Sequence, residues 1–381
     1  METERPKARV LAFYLPQYHP IPENDRWWKP GFTEWMNVRK AKPLFPGHYQ
    51  PRVPAGPYYD LRDPEVRLAQ ARMAQDHGIE GFCYWHYWFG GGKRLLERPF
   101  AEVLASGEPD FPFCLAWANE SWTGIWHGAP DRMLMPQVYP GEEDLLRHFR
   151  AMETAFFDKR CVRVCGRPLF VVYHPEMLPE PERFVDTWQD LALRSGLPGL
   201  HLVGMAAPGG CWDPLSHGFD AVMGHPPHDL LLRNPRVRLR RRWKKFLRHL
   251  SGLPADEGFS GPEVHAYRDI VRLSIAKPVH PREYPCVVPD WDNSPRTGTS
   301  SLILNGSTPE DFKACLQDAV EKLSSRDRER RVLFIKSWNE WGESNYLEPD
   351  EKFADAYLRA VRESLLGGRE PEGLSGSVPT L

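Results

Sequence analysis

Apolar residues along the 381-residue chain gather into eight short, nearly continuous runs. They are Val10–Leu15, Gly81–Trp85, Phe113–Trp117, Leu169–Tyr173, Leu200–Met205, Phe219–Met223, Pro285–Val288 and Val332–Ser337. Continuous rather than alternating apolar character predicts parallel strands covered on both faces. Between the runs, apolar positions recur at helical spacing over Pro64–His77, Glu142–Phe157, Glu180–Ser195, Pro309–Leu323 and Phe353–Leu366. Thr308-Pro309-Glu310-Asp311 is a helix start, with a capping side chain, proline in the first turn and acids at the positive dipole end. Strand-then-helix repetition of this kind predicts an α/β fold, a (β/α)8 TIM-type barrel forming a single domain with long βα-loop insertions. A doubly wound open sheet would carry a glycine-rich turn after its first strand, where this chain has Pro16-Gln17-Tyr18-His19-Pro20. The expected barrel covers residues 1–366, with loop excursions over 20–59 and 225–284. Residues 367–381 have linker composition and are expected to form a flexible tail.

Charge and composition narrow the class. Lys and Arg total 49 against 51 Asp and Glu, a net charge of -2, which argues against a nucleic-acid partner. No apolar run approaches the roughly 18 residues that span a bilayer. Met1–Lys7 shows no apolar signal core, and the seven cysteines lack framework spacing, so a reducing, cytoplasmic location is expected. The 14 Trp, 13 Tyr and 19 Phe residues fit either an aromatic-rich core or a surface built for the C–H faces of sugars.

In such a barrel the chemistry collects where strands end, because the loops there form one rim. Six of the eight expected strand ends place an aromatic residue beside a carboxylate, amide or imidazole. The candidates for sugar contact are Tyr14, Gln17, Tyr18 and His19; Trp85 and His86; Trp117, Asn119, Glu120 and Trp122; Tyr173 and His174; Asp290 and Trp291; and Trp338, Asn339 and Trp341. After the last strand, Glu340 and Glu343 are three apart, which on one helical turn puts their Cβ atoms about 5–6 Å apart. Paired carboxylates at that separation suit retaining glycoside chemistry, and their mutual repulsion raises one pKa. The plain alternative is that Glu343 stabilises a helix start through the dipole.

The segment Phe334–Pro349, which contains Trp338-Asn339-Glu340-Trp341-Gly342-Glu343, resembles the last-strand motif of the WbsX-type, family-99-like glycoside hydrolase domain. Ala12–His19, Gly81–Trp88 and Trp117–Trp122 resemble its other motifs in the same order, and the likeness runs from about Arg9 to about Leu366. The resemblance implies a (β/α)8 barrel, glycosidic chemistry without a metal or other cofactor, and a role in surface-polysaccharide or O-antigen metabolism. It assigns Glu340 to the substrate's 2-hydroxyl and Glu343 to general acid/base work, as in the related endo-α-1,2-mannosidases. Where that pattern has His, this chain has Gly342, and where it has Gly, this chain has Ser344. The substitution at Gly342 is expected to remove a ligand contact or open the cleft, so mannose specificity does not carry over.

Glu120 ends a strand earlier than the acid of many barrel glycosidases does, so it is read as a hydroxyl ligand. Asp290-Trp291-Asp292 has the D-x-D form that holds a divalent cation in nucleotide-sugar transferases, but the nucleotide-binding half that normally precedes it is absent. His19, His86, His174, His225 and His228 lack metal-ligand spacing, and Cys83 and Cys114 read as core. Residues 233–248 hold nine basic side chains with apolar ones interleaved, a candidate peripheral membrane contact or a solvated face. The expected partner is an oligo- or polysaccharide, with a lipid-linked form as the membrane-compatible case. Rival readings are a nucleotide-sugar glycosyltransferase and a non-catalytic carbohydrate-binding barrel.

Overall fold

The computed structural model describes residues 5–124, 129–207, 210, 212–235, 237–239, 243 and 261–366. Nine parallel segments form a nearly closed barrel: β1 (Arg9–Tyr14), β2 (Gly81–Trp88), β3 (Phe113–Trp117), β4 (Arg167–Val172), β5 (His201–Met205), β6 (Ala221–Met223), β7 (Glu283–Tyr284), β8 (Cys286–Val287) and β9 (Val332–Ile335). Each pairs in parallel with its neighbour from β1 through β6, β6 pairs with β7, and β8 pairs with β9, which returns to β1. The single seventh strand expected over Pro285–Val288 is thus two short segments flanking Pro285, which has no N–H to give a ladder.

Alternate residues explain the continuous apolar runs. Leu11, Phe13, Cys83, Cys114, Ala116, Leu169, Val171, Val203, Phe334 and their neighbours fill the barrel interior. Val10, Ala12, Phe82, Tyr84, Phe170 and Leu333 face outward and pack under the helices. Both faces are dry, so neither alternates with polar residues.

Helices Pro64–Asp76, Arg98–Ser106, Glu142–Phe157, Pro181–Arg194, Tyr267–Ala276 and Pro309–Leu323 separate successive strands, and Ala356–Leu366 follows the last. Thr308 caps Pro309–Leu323 by accepting from the Asp311 N–H, as its sequence predicts. The excursion over 225–284 is not simply a loop. It holds the helices His228–Arg233 and Tyr267–Ala276, and a strand, Glu263–Ala266, that pairs in parallel with Leu302–Asn305 outside the barrel. The tail 367–381 and most of the basic run over 233–248 lie outside the described residues; Leu239 is exposed.

The first excursion folds back over the carboxyl ends of the strands through two short helices, Pro22–Trp27 and Trp35–Lys40. His48 and Gln50 reach Asp292, Arg52 reaches Asp290, and Tyr59 reaches Glu348. Its length therefore builds one wall of the rim.

Candidate active site

Val332 and Phe334 point into the barrel, and the chain leaves β9 through Lys336, Ser337 and Trp338. Asn339–Glu340 then pairs antiparallel with Asn345–Tyr346 around a tight 3₁₀ turn, Trp341–Glu343, closed by Ser344 at φ 51°. Glu340 and Glu343 are therefore brought together across a strand-to-turn corner, not along the α-helical turn their spacing predicts.

The corner is held from below. The Asn339 side chain accepts from Leu15 N at 2.7 Å and donates to Leu15 O at 3.0 Å. The Tyr18 hydroxyl donates to Asn339 O at 2.6 Å and accepts from Trp341 N at 3.0 Å. The Trp341 indole and the Tyr59 hydroxyl both donate to Glu348, which also accepts from Gln70. The same corner thus tethers the first and last strand ends, which places Glu340 on the mouth formed by Gln17 and Tyr18.

Arg296, on the short helix Ser294–Thr297, joins three carboxylates. Its Nη2 is 2.5 Å from Glu340 Oε1, its Nη1 is 3.0 Å from Glu343 Oε1, and its Nε is 2.9 Å from Glu34 Oε1. Glu34 is fully buried and Glu340 is 5% exposed, whereas 18% of the Glu343 side chain meets solvent. Burial pushes the Glu340 carboxyl up to about 8; Arg296 opposes the shift, and Glu343 and Glu34 add to it. Burial acts to lower the Arg296 guanidinium, but the charges of Glu34, Glu340 and Glu343 outweigh it and keep it protonated. One cation facing three carboxylates leaves an excess of negative charge, which a proton on Glu340 relieves.

Gly342 sits directly over this cluster. A Cβ there would stand 2.1 Å from Glu34 Oε1 and 2.8 Å from Arg296 Nε. The missing side chain does not open a cleft, as expected from sequence; its space holds the Glu34–Arg296 pair.

Of the expected sugar contacts, Trp85, Glu120, Trp122, Tyr173 and His174 retain accessible surface. Trp85 stacks on Phe13 and meets Tyr173 edge-on at 5.3 Å. Asn119 clasps the His174 backbone with both amide atoms, at 2.7 and 2.8 Å, so it positions that loop. Burial acts to lower the His174 imidazole, yet Glu120 and Glu176 together raise it to about 9. The charges of Glu120, Glu343 and Glu340 all act on the Tyr173 hydroxyl, and those of Glu340 and Glu120 on Tyr87, which gathers these groups around one mouth.

Others are placed differently. Tyr14 is buried on the outer barrel face with its hydroxyl on Gln70, and Trp117 is buried with its indole on Trp88 O. Trp338 and Trp341 are fully buried, Trp341 stacking on Tyr346 at 3.7 Å. Tyr18 and Asn339 have no exposure; with Tyr14, Trp338 and Trp341 they support the corner, while Trp117 packs against His148 and Phe184, so none of the six faces a ligand. Gln17 is buried with neither amide atom bonded among the described residues, and His19 contacts Pro16 O. His86 lies 2.8 Å from His148, and burial pushes it down to about 3, so it is a neutral packing group. Trp291 is 3% exposed.

The D-x-D carboxylates are engaged separately. Asp290 pairs with Arg52 at 2.7 Å, while Asp292 takes bonds from His48 and Gln50 at 2.7 and 2.6 Å. Neither is left to bridge a cation to a diphosphate. Among the described residues, no three His, Cys, Asp or Glu side chains stand as a metal-holding group. Two recesses lie away from the carboxylates, one on the flank beside Lys277 and Glu283 and one at the opposite mouth beside Arg9 and Glu80. No helix among the described residues is long and apolar enough to cross a membrane.

Glu34 and Arg296 were not legible as site residues. They lie 262 positions apart and in no periodic pattern; the available signal was that two close, buried carboxylates require a cation.

A family model described as Glycosyltransferase WbsX matches residues 10–361. The uncharacterized protein WxcX of Xanthomonas campestris pv. campestris is 39% identical over 365 residues, covering 94% of this chain and 50% of that protein. The chain thus spans about half the length of the curated relatives it matches. Among solved structures, a GH99 endo-alpha-mannosidase from Bacteroides thetaiotaomicron, in complex with bis-tris-propane, aligns with a TM-score of 0.56 at 13% identity, covering 93% of this chain and 95% of that one. A glycoside hydrolase-like protein aligns with a TM-score of 0.56 at 14% identity, covering 96% and 95%. These two likenesses show a common barrel fold.

Proposed function

The chain belongs to the WbsX glycosyltransferase family, and from that premise we propose that it is a carbohydrate-active enzyme that cleaves or transfers a glycosyl unit on a surface oligo- or polysaccharide. The observation that carries the reading is the carboxylate pair at the last strand end, Glu340 and Glu343, bridged by one buried guanidinium. Glu340 acts as base toward the sugar's 2-hydroxyl, and Glu343, the more accessible of the two, protonates the leaving oxygen and then serves as base. A carboxylate whose pKa is raised to about 8 is a stronger base than a solvated one, which suits removal of a hydroxyl proton. The attacking 2-oxygen forms a bond to the anomeric carbon as the bond to the leaving oxygen breaks. Water or a second sugar hydroxyl then reopens the anhydro ring. Trp85, Trp122 and Tyr173 offer faces for pyranose C–H surfaces, and Glu120 and His174 offer partners for hydroxyls.

The nucleotide-sugar route finds no support at Asp290 and Asp292, since both are bound to side chains of the first excursion. The experiment that tests the proposal is incubation with bacterial surface glycans in ¹⁸O-water, followed by product mass spectrometry. Labelled new reducing ends indicate hydrolysis, and unlabelled extended products indicate transfer. Turnover that requires a nucleotide sugar and generates no product without one overturns the assignment.

A further inference from the structure

Lys336 follows β9 on the same face as Val332 and Phe334, so its side chain rises from the barrel interior toward the mouth. The residue is 5% exposed. Its Nζ lies 4.8 Å from the ring centre of Trp291 and 5.9 Å from that of Tyr173. Among the described residues no carboxylate pairs with this ammonium, and its Nζ donates no hydrogen bond to protein. Its neighbours are uncharged. The Tyr173 hydroxyl is 3.1 Å from His225 Nε2, and burial, together with Lys336 itself, holds His225 well below its usual imidazole range. Cys286, which also feels the Lys336 charge, is kept a thiol by burial.

A cation with little access to water is costly unless it is paired, and a cation–π contact satisfies none of its three N–H donors. The other charges of the mouth do not meet this need, because Glu340, Glu343 and Glu34 are gathered on Arg296. Tyr173 stands between the two groups: its ring approaches Lys336 while its hydroxyl lies in the field of Glu120, Glu343 and Glu340. A pyranose seated on Tyr173 would therefore have the ammonium on one side and the carboxylates on the other.

We propose that Lys336 is a specificity-determining residue that selects a sugar bearing a carboxylate, such as a hexuronic acid, next to the bond being processed. A single ammonium beside one neutral donor, the Tyr173 hydroxyl, whose proton is free for a ligand when His225 Nε2–H donates to its oxygen, matches a monoanionic carboxylate better than a dianionic phosphate. A neutral hydroxyl would accept a hydrogen bond but leave the buried charge uncompensated. The inference rests on the glycosidic reading of the site.

The test is binding of the full chain to an array of glucuronate-, galacturonate- and mannuronate-containing oligosaccharides, each beside its carboxyl-reduced neutral counterpart. The native protein is expected to bind at least one acidic member at least tenfold more tightly than its reduced form. Lys336→Met is expected to lose that preference and Lys336→Arg to keep it, with melting temperatures verifying that both variants fold. Equal affinity of the native protein for acidic and reduced members, or a preference that survives in Lys336→Met, overturns the role of Lys336 while leaving the glycosidic reading intact. If Lys336→Met does not fold, Lys336→Arg with no acidic preference overturns it equally. A native protein that binds no member of either kind overturns the glycosidic reading and the inference with it.

Discussion

Gly342 and Glu34 are so close that a Cβ on the first would stand 2.1 Å from Oε1 of the second. Glu34 cannot retreat freely, because its carboxylate is held by Arg296 at 2.9 Å and Asn37 at 3.1 Å. Gly342→Ala is therefore expected to displace Arg296 from Glu340 and Glu343, lowering turnover at least tenfold and lowering the melting temperature. The double variant Gly342→Ala with Glu34→Ala should recover part of the lost melting temperature, since it clears the space. A Gly342→Ala protein with native stability and turnover would show that the cluster relaxes at no cost.

Glu340→Gln and Glu343→Gln each remove an ionisable group with little change of shape. Each is expected to lower kcat by at least about 10²-fold, the usual scale of general acid–base catalysis. Saccharide binding should persist in both, because neither variant alters the exposed faces of Trp85 or Tyr173. Undiminished turnover in either would remove that carboxyl from the chemistry.

How much of this was visible in the chain depends on what each residue touches. The strands β1, β3 and β9 were legible because both of their faces are dry, so apolar character runs on without a break. The seventh strand was legible over Pro285–Val288, but its division into two segments was not, since a residue without an N–H interrupts the ladder it sits in. Glu340 and Glu343 were legible from proximity in sequence, but Arg296 meets them only through folding. Trp338 and Trp341 read as ligand-facing yet are fully buried, because residue type alone does not separate a core indole from one that lines a mouth.

The pH profile separates the two possible roles of Glu340. As a base it must be ionised, and its pKa is raised to about 8, chiefly by burial. The ratio kcat/KM is then expected to rise through pH 8 and level above it. If Glu340 instead donates the proton, the ratio falls over the same interval. Rates measured from pH 5 to 9.5 decide between them, and Glu340→Gln should abolish the limb in either case.

The same shift ties stability to pH. The folded protein keeps a proton on Glu340 that the unfolded chain releases near the ordinary carboxyl value of 4.5, so between 4.5 and about 8 the folded state binds more protons. Stability from this group is fully present below 4.5 and is lost as pH rises through about 8. Glu340→Gln removes the ionisation, so its melting temperature relative to the native protein is expected to increase from pH 5 to pH 8.5. Parallel melting curves would show that Glu340 is ionised in the fold throughout.

Asn339 gives the clearest separation of stability from chemistry. Its amide closes both backbone groups of Leu15 and is itself fully buried, so Asn339→Ala leaves a donor and an acceptor dry and unpaired. At about 1–3 kcal/mol for each unsatisfied group, the combined loss is about 2–6 kcal/mol, measurable as a drop in the denaturant midpoint. Asn339→Asp keeps the bond from the Leu15 N–H but sets a carboxylate oxygen against the Leu15 carbonyl, so it should fall between Asn339→Ala and the native protein only where it is protonated. Because the tether also fixes where Glu340 leaves its strand, turnover should fall in step with stability in both variants. An Asn339→Ala protein with a native denaturant midpoint would mean that the first and last strand ends are joined by something other than this amide.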